Sequence, residues 1–304
     1  MVKLSVQSWL LLLFLTIVWG SSFILMKTGL LVFSPYQMAS LRIFAAALSL
    51  LPIAIYHIRK LPWTDLRYIL LFGFFNAGIP AFLFAISQQH INSSTAGILN
   101  SLTPLFTLLM GAFFFKVSFN VFKFSGVVIG FFGAVLLIYY RDKAFSLAGQ
   151  SEYTFYVLLI VLATAFYGMA GNILKTHLHH IKGYIIASIA YAMFGLPLGI
   201  YLFSTDFVHK LATGGDQALE SFFAILILGI IGSAFAIILY HKLIQQSNAL
   251  FASFVTYLIP FVAIIWGWAD GEPVTAITFL SLAIILGGIF ISGWQPAKNV
   301  ARTQ

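Results

Sequence analysis

The chain has 304 residues, of which 61% are hydrophobic and only 8% are charged, with a formal net charge of +8 and no cysteine. A soluble domain carries about 25% charged residues, so this composition excludes a protein whose surface mainly faces water. The lack of cysteine excludes disulfides and thiol chemistry. Apolar runs near 20 residues recur along the chain, and each is long enough to cross a hydrocarbon core about 30 Å thick.

These runs are continuously apolar, as in "FFAILILGIIGSAFAIILY", whereas the strands of a membrane barrel alternate apolar and polar residues. The sequence therefore predicts an all-α polytopic membrane protein with ten transmembrane helices. The first run is too long, and its basic flank too thin, for a cleaved signal peptide. Helices 1 to 10 are predicted at 8–32, 35–56, 67–89, 93–115, 122–140, 153–174, 182–203, 220–243, 248–268 and 274–294.

The basic residues are distributed unevenly between the two sides of these helices. With the N-terminus in the cytoplasm, eleven lysines and arginines fall inside and only three, Arg141, Lys143 and Lys210, fall in outer loops. Seven of the eight acids, among them Asp270 and Glu272, fall outside. This bias predicts a multi-pass protein of the cell membrane (inner or plasma) with cytoplasmic N- and C-termini. The net charge therefore reports orientation, and no nucleic-acid partner is implied.

The chain repeats itself in two halves of five helices. A shift of 148 positions carries helix 1 onto helix 6, and a shift of 156 carries helices 3 and 4 onto helices 8 and 9. The matching pairs include Gly20 and Gly168, Lys27 and Lys175, Gly73 and Gly229, Asn92 and Asn248, Pro104 and Pro260, and Gly111 and Gly267. Five helices is an odd number, so the second copy is inverted. The sequence predicts a 5+5 inverted-topology repeat with units 1–143 and 144–304, a construction typical of secondary transporters whose substrate site lies between the halves.

Small and polar residues form stripes at helical spacing on helices 1, 3, 4, 6, 8 and 9. In lipid such stripes should face protein or water, and neighbouring aromatic rings suit an amphipathic ligand. Close helix packing through small residues is the competing explanation. The predicted substrate-binding residues are Trp19, Ser22, Arg42, Asn76, Asn100, Thr103, Tyr167, Tyr240, Thr256, Tyr257 and Trp266.

Four further residues are predicted to take part in gating: Lys27, Pro104, Pro260 and His241. Each proline lies mid-helix, where it removes a backbone hydrogen bond and kinks the helix. Lys27 lies near the outer surface, where snorkelling to the interface is the alternative, and simple solvation is the alternative for His241. Arg42 lies about two turns into helix 2, where it binds a substrate carboxylate or holds a closed gate through freed carbonyls.

The segments "VWGSSFILMKTGL", "LR" at Leu41-Arg42, "NSSTAGILNSLTPLFTLLMGAFF" and "SNALFASFVTYLIPFVAIIWGWADGEPV" resemble the EamA family of the drug/metabolite transporter superfamily, in two units at about 10–140 and 154–294. The resemblance implies ten helices with cytoplasmic termini, a central cavity lined by helices 1–4 and 6–9, and export or facilitated passage of small metabolites such as amino acids. One departure is visible. The family usually ends the fourth helix of each unit with Gly-Glu; Gly271-Glu272 keeps this pair, but the first unit reads Phe115-Lys116.

The predicted function is a secondary transporter that moves small amphipathic metabolites, most of all amino acids or related compounds, outward by alternating access. No acid lies in the interior of a predicted helix, which disfavours coupling through a buried carboxylate. Uniport or exchange remains, with His90 or His241 as a weaker proton route. A membrane channel remains the alternative, and no enzyme, cofactor or metal site is predicted. Glycines on helices 5 and 10 fit either homodimer contact or internal packing.

Overall fold

The computed structural model describes residues 5–117, 120–143, 150–247 and 249–293. Within these ranges, ten helices are long and apolar enough to cross a membrane, which confirms the predicted fold class. Helix 1 comprises Val6–Gly20 and Ser22–Gly29, helix 2 Pro35–Ile58, helix 3 Trp63–Gly73, Phe74–Gly78 and Ile79–Ser87, helix 4 Ser93–Asn100 and Thr103–Phe115, helix 5 Val121–Lys143, helix 6 Gln150–His177, helix 7 Gly183–Phe203, helix 8 Gly215–Ile227, Leu228–Phe235 and Ala236–Gln246, helix 9 Ala249–Ala269 and helix 10 Ala276–Gly293.

The helix bundle has two faces, which are named after residues of helix 1. The Ser5 face is the side on which helix 1 begins, and the Lys27 face is the side on which it ends. A short helix, Phe207–Thr213, lies at the Lys27 face between helices 7 and 8. No helix is predicted from sequence at 204–219, because a helix of seven residues is too short to give a clear periodic pattern.

Local sequence determines where several helices begin and end. Ser34 and Gln37 form a reciprocal capping box at the start of helix 2, and Pro35 occupies its first turn, where a missing N–H costs nothing. Helix 9 ends at Ala269, and Gly271, two residues later, has a φ of +79°, a conformation that favours glycine. The N–H of Glu272 then donates to the carbonyl of Gly267 at 2.8 Å, which is the 6→1 hydrogen bond of a Schellman motif. This turn directs Glu272 back toward the bundle.

The packing of the helices follows a pseudo-two-fold exchange of the two halves. Helix 1 packs on helix 9 as helix 6 packs on the second segment of helix 4, and helix 8 packs on helix 2 as helix 3 packs on helix 7. Helices 2 and 7 pair with each other, and so do helices 5 and 10. The inverted repeat is therefore visible in the packing, with helices 5 and 10 at the periphery.

Glycines allow several of these helices to approach closely. A Cβ on Gly168 would lie 2.7 Å from the backbone carbon of Phe106, so helices 4 and 6 touch through their main chains. On helices 5 and 10, a Cβ on Gly126 or Gly288 would collide with the backbone of the other helix. Internal packing thus accounts for Gly126 and Gly288, whereas a Cβ on Gly287 would meet no atom within 4 Å. The homodimer stays a prediction.

Helix 4 is interrupted rather than kinked. Ser101 and Leu102 form a turn with i→i−3 hydrogen bonds of 3.1 and 3.0 Å, and Pro104 lies in the first turn of the segment that follows. The prediction that Pro104 kinks a continuous helix is therefore wrong, because a proline is best accommodated where a new helical segment begins. Pro260 does lie inside a continuous helix.

Helices 3 and 8 each contain a π-helical segment, Phe74–Gly78 and Leu228–Phe235. A shift of 156 positions carries the first segment into the second, so this irregularity is shared by the two halves. π-helical segments frequently occur at functional sites, because each widens the helix and redirects its side chains.

Some predictions fall beyond the part of the chain that the structure describes. Lys3, Lys298 and Arg302, which contribute to the charge bias, lie outside the described residues, as does Asn248, the repeat partner of Asn92. The boundary between the units at 143 and 144 stays a prediction.

Candidate functional site

A cavity of about 350 Å³ lies between the two halves. Residues of helices 1 to 4 and 6 to 9 line it, in agreement with what the family resemblance implies. Its polar and aromatic lining residues are Trp19, Ser22, Phe23, Arg42, Phe72, Asn76, Phe84, Asn100, Thr103, Tyr167, Tyr191, Ser233, Tyr240, His241 and Thr256. The cavity is large enough for a small metabolite.

Nine of the eleven predicted substrate-binding residues line this cavity, and Tyr257 and Trp266 do not. The ring of Tyr257 packs edge-on against Phe254, with centroids 6.0 Å apart, and the indole N–H of Trp266 donates to Ser21 Oγ at 2.8 Å. Their proposed contact with substrate stays a prediction, as does the role of each lining residue. Of the predicted gating residues, His241 lines the cavity, whereas Lys27, Pro104 and Pro260 do not.

Arg42 supplies a fixed positive charge to the cavity wall. Its Nε donates to Ser233 Oγ at 3.2 Å, and its Nη1 lies 3.7 Å from the sulfur of Met26. Ser233 in turn donates to the carbonyl of Leu228 at 3.1 Å, inside the π-helical segment of helix 8. None of the ion pairs among the described residues involves Arg42, and the described lining contains no Asp or Glu. The guanidinium is thus held in place by neutral groups.

Aromatic rings form two sides of the cavity. Trp19 lies 5.2 Å from Tyr240 between ring centroids, and its indole N–H donates to the carbonyl of Gly232 at 2.9 Å. This bond satisfies a carbonyl within the π-helical segment. Phe84 stacks near Tyr167, with centroids 6.1 Å apart. Rings held in this way offer a ligand apolar surface at a low entropic cost.

Three prolines release main-chain acceptors at the cavity. Proline has no N–H, so Pro80, Pro104 and Pro260 leave the carbonyls of Asn76, Asn100 and Thr256, four residues earlier, without that donor. All three of those earlier residues line the cavity. The Asn100 carbonyl accepts from Thr103 Oγ1 at 2.8 Å and keeps a second lone pair. Three residues of the cavity lining therefore have main-chain carbonyls that lack the usual helical donor.

Several lining residues were not among the predicted site residues, and Tyr191 and Gly183 are two of them. Tyr191, on helix 7, follows Ala190, the repeat partner of Arg42, and this proximity is the signal that could have identified it. Gly183, the first residue of helix 7, lies against His241, whose ring would collide with a Cβ at that position. The cavity lining thus extends to the Ser5 face. His90, the other histidine considered, stacks on Tyr156 at 3.8 Å between centroids and does not line the cavity.

A buried carboxylate, Glu272, lies at the Lys27 face. Glu272 is only 6% exposed. Its Oε1 accepts from the backbone N–H of Ser93 at 2.7 Å, and its Oε2 accepts from the N–H and hydroxyl of Ser94 at 3.0 and 2.6 Å. The carboxylate therefore caps the N-terminus of helix 4, where unpaired N–H groups and the helix dipole favour an anion.

Lys27 lies beside the carboxylate of Glu272. Its ammonium forms an ion pair with Asp270 and lies 3.6 Å from Glu272 Oε1. The ammonium thus has protein partners rather than only snorkelling into solvent, and its predicted location near the outer membrane surface stays a prediction. We call Lys27, Ser93, Ser94, Asp270 and Glu272 the Glu272 cluster. It joins the end of helix 1, the start of helix 4 and the end of helix 9.

Comparison with known proteins places both halves in one family of sequences. The EamA-like transporter family matches residues 7–139 and 154–294. An uncharacterised transporter of Archaeoglobus fulgidus is 27% identical, over 94% of this chain and 98% of its own length. An uncharacterised inner membrane transporter of Escherichia coli (strain K12) is 25% identical, over 91% of this chain and 87% of its own length.

A more distant relative has a more specific name. A probable amino-acid metabolite efflux pump of Escherichia coli (strain K12) is 23% identical, over 95% of this chain and 97% of its own length. One solved crystal structure matches with a TM-score of 0.59 and 15% identity, over 94% of this chain and 96% of that one. This last similarity concerns the fold alone.

Proposed function

The chain belongs to the EamA-like transporter family and is a transmembrane transporter; we propose that it exports small amphipathic metabolites, namely amino acids or related compounds, by alternating access of the central cavity. The observation that carries this proposal is the guanidinium of Arg42, which lines the cavity without an acidic partner among the described residues. A substrate carboxylate is the natural partner for such a group.

The rest of the lining supports a substrate with a second, hydrogen-bond-donating pole. The carbonyls of Asn76, Asn100 and Thr256 can accept from an ammonium, and no carboxylate in the described lining is placed to hold a purely cationic substrate. The rings of Trp19 and Tyr167 provide apolar surface between the poles. This combination matches an α-amino acid with an apolar side chain, and it is consistent with the name of the more distant Escherichia coli relative.

The proposed orientation places the Ser5 face in the cytoplasm and the Lys27 face outside. Eight of the described basic residues lie at the Ser5 face or its helix ends, namely Arg59, Lys60, Arg67, Lys116, Lys123, Lys175, Lys182 and Lys242. Such a bias is typical of cytoplasmic loops. Substrate would then enter from the Ser5 face and leave at the Lys27 face.

The test is counterflow in proteoliposomes loaded with individual unlabelled amino acids, with uptake of the labelled compound as the readout. Arg42→Ala should raise KM for a carboxylate substrate about 10- to 150-fold, because a hydrogen bond to a charged group is worth about 1.5–3 kcal/mol. Arg42→Lys should retain part of the affinity, because it keeps the charge but loses the planar fork. The matched control is Arg59→Ala, an exposed arginine outside the cavity, which should transport normally.

Two results would contradict the proposal. Exchange that is unaffected by Arg42→Ala, in protein that still elutes as a folded species, would remove Arg42 from the site. Ionic current without saturable exchange would favour the channel instead. Trp19→Ala provides a second probe of the same cavity, with a larger loss expected for substrates with bulky apolar side chains.

A further inference from the structure

The Glu272 cluster lies between the cavity and the Lys27 face. On this side the cavity lining ends at Met26 and Phe84. Immediately beyond, the carbonyl of Phe23 accepts from Gln88 Nε2 at 3.0 Å and from Ser93 Oγ at 3.3 Å. Ser93 also donates its N–H to Glu272. The hydrogen bonds that seal the cavity on this side are therefore continuous with the cluster.

The cluster connects the two halves through one buried carboxylate. Glu272 belongs to the second half, whereas Ser93, Ser94 and Lys27 belong to the first. The side chain of Glu272 is 2% exposed, compared with 38% for Lys27, so its three hydrogen bonds are shielded from water and count for more than a surface ion pair. Any movement that opens the Lys27 face by separating helices 4 and 9 has to break them.

The space beside Gly267 also favours close contact between Glu272 and helix 4. A Cβ on Gly267 would collide with Glu272 Oε2 and would lie 2.9 Å from the Cβ of Ser94. Only glycine leaves room for the carboxylate against helix 4. Gly271, with its positive φ, turns the chain so that Glu272 reaches that space.

The repeat does not reproduce these residue types at the equivalent positions of the opposite face. The shift of 156 positions places Lys116 where the second half has Glu272, Phe114 where it has Asp270, and Ala249 and Leu250 where the first half has Ser93 and Ser94. Polar contacts between the halves on the Ser5 side include the pair Asp65–His180, whose histidine is 51% exposed, an amide contact of Gln246 with Gln7, and the bond from Asn172 Nδ2 to the carbonyl of Thr107. None of these three contacts is made by a buried carboxylate at a helix N-terminus.

We propose that Glu272 is the gating residue of this carrier: by capping helix 4 from the end of helix 9, it holds the Lys27 face closed and biases the empty protein toward the state that opens at the Ser5 face. It positions helices and does not bind substrate. A substrate entering from the Ser5 face finds the competent state already populated, and one entering from the Lys27 face does not, so the apparent affinity is higher from the Ser5 face. The bias leaves the net direction of a passive carrier unchanged.

This inference rests on the proposed alternating-access function, but its test needs no substrate and can fail independently. Thr103→Cys introduces a single thiol into the cavity lining of a cysteine-free chain. Its rate of reaction with a charged, membrane-impermeant maleimide is measured in intact cells and in inverted vesicles. An exposed cysteine introduced by Asp216→Cys identifies the preparation that presents the Lys27 face.

In the Thr103→Cys background, Glu272→Gln should raise labelling from the Lys27 face about tenfold or more and lower it from the Ser5 face. The loss of one charge-assisted hydrogen bond shifts a two-state equilibrium by about that factor. Gly267→Ala should act in the same direction while keeping the charge, because it displaces the carboxylate sterically. The matched control is Glu220→Gln, which makes the same chemical change at an exposed position of the Lys27 face and should leave both rates unaltered.

The opposite response of the two faces distinguishes gating from a purely structural role. Loosened packing would raise labelling from both faces together, and that result, or no change from either face, would overturn the proposal. Should Glu272→Gln fail to fold, Ser94→Ala decides the matter. It removes the 2.6 Å hydroxyl bond to Glu272 but keeps the 3.0 Å bond from the backbone N–H, so it should give a smaller shift with the same opposite signs.

Discussion

The close contact of helices 4 and 6 makes Gly168→Ala a demanding test of the packing. The new methyl carbon would lie 2.7 Å from both the carbonyl carbon of Phe106 and the amide nitrogen of Thr107. These are main-chain atoms, which cannot rotate away, so the helices have to separate. Asn172 Nδ2 bridges the interface by donating to the carbonyls of Thr107 and Gly168, both at 2.8 Å, and separation stretches that bridge.

The expected loss in the free energy of unfolding follows from these two effects. Overpacking of a tight interface costs about 1–3 kcal/mol, and the strained bond to Thr107 adds about 1 kcal/mol. At about 2–4 °C per kcal/mol, the apparent melting temperature of detergent-solubilised protein should fall by about 4–16 °C, measured by loss of the monodisperse peak after heating. Gly171→Ala is the matched control one turn later, where a Cβ would meet Thr107 at 3.8 Å. Equal melting temperatures for the two variants would refute the interpretation of the glycine as a packing residue.

Three other substitutions probe separate features. Trp19→Phe keeps a ring near Tyr240 but leaves the Gly232 carbonyl without its 2.9 Å donor, so it should cost about 1 kcal/mol, and an unchanged melting temperature would mean that the bond is dispensable. Gly183→Ala should displace the imidazole of His241 and raise labelling of a cavity cysteine from the Ser5 face; unaltered labelling would argue against His241 as a gating residue. The side-chain amide of Gln37, on helix 2, donates a hydrogen bond to Asp206 and holds the pKa of this carboxyl group below its ordinary value of 3.8. The ionised carboxyl therefore stabilises the folded protein above that pH, and this stabilisation is lost as the pH falls through the lower, folded-state pKa. Asp206→Asn should therefore flatten the fall in melting temperature below about pH 4, and an identical acid profile in the variant would disprove this contribution.

The helices and their inverted order could be predicted from sequence because each signal is local. A run of about 20 apolar residues is sufficient to indicate a membrane span, and paired residues such as Pro104 and Pro260 reveal the repeat without any knowledge of contacts. Most of the polar residues in the cavity lining could be predicted for the same reason, since side chains such as Asn76 and Asn100 are costly to expose to lipid.

The features that sequence reasoning missed depend on contacts between distant parts of the chain. Glu272 and Ser93 are 179 positions apart, and only the folded arrangement shows that the carboxylate is buried rather than solvated. Trp266 and Tyr257 lie beside the polar stripe of helix 9, but a small rotation of the helix decides whether such rings face the cavity, and periodicity does not specify that rotation. Tyr191 was missed because helix 7 has no polar stripe around it.

The turn in helix 4 has a geometric consequence for the transport cycle. Helix 4 carries i→i−3 bonds at Ser101 and Leu102, whereas helix 9 is continuous through the equivalent positions, Tyr257 and Leu258. Each residue in such a turn adds about 20° of rotation relative to an α-helix, so two residues rotate the following segment by about 40°. At a side-chain radius of about 5–6 Å, that rotation displaces an atom by about 4 Å. In a carrier of inverted repeats whose halves exchange conformations, transfer of the turn to helix 9 would rotate its far end, and with it Glu272, by more than the length of a hydrogen bond. Under the proposed alternating-access function, a two-residue change of winding in the middle of helix 9 would therefore be sufficient to break the hydrogen bonds that Glu272 makes to helix 4.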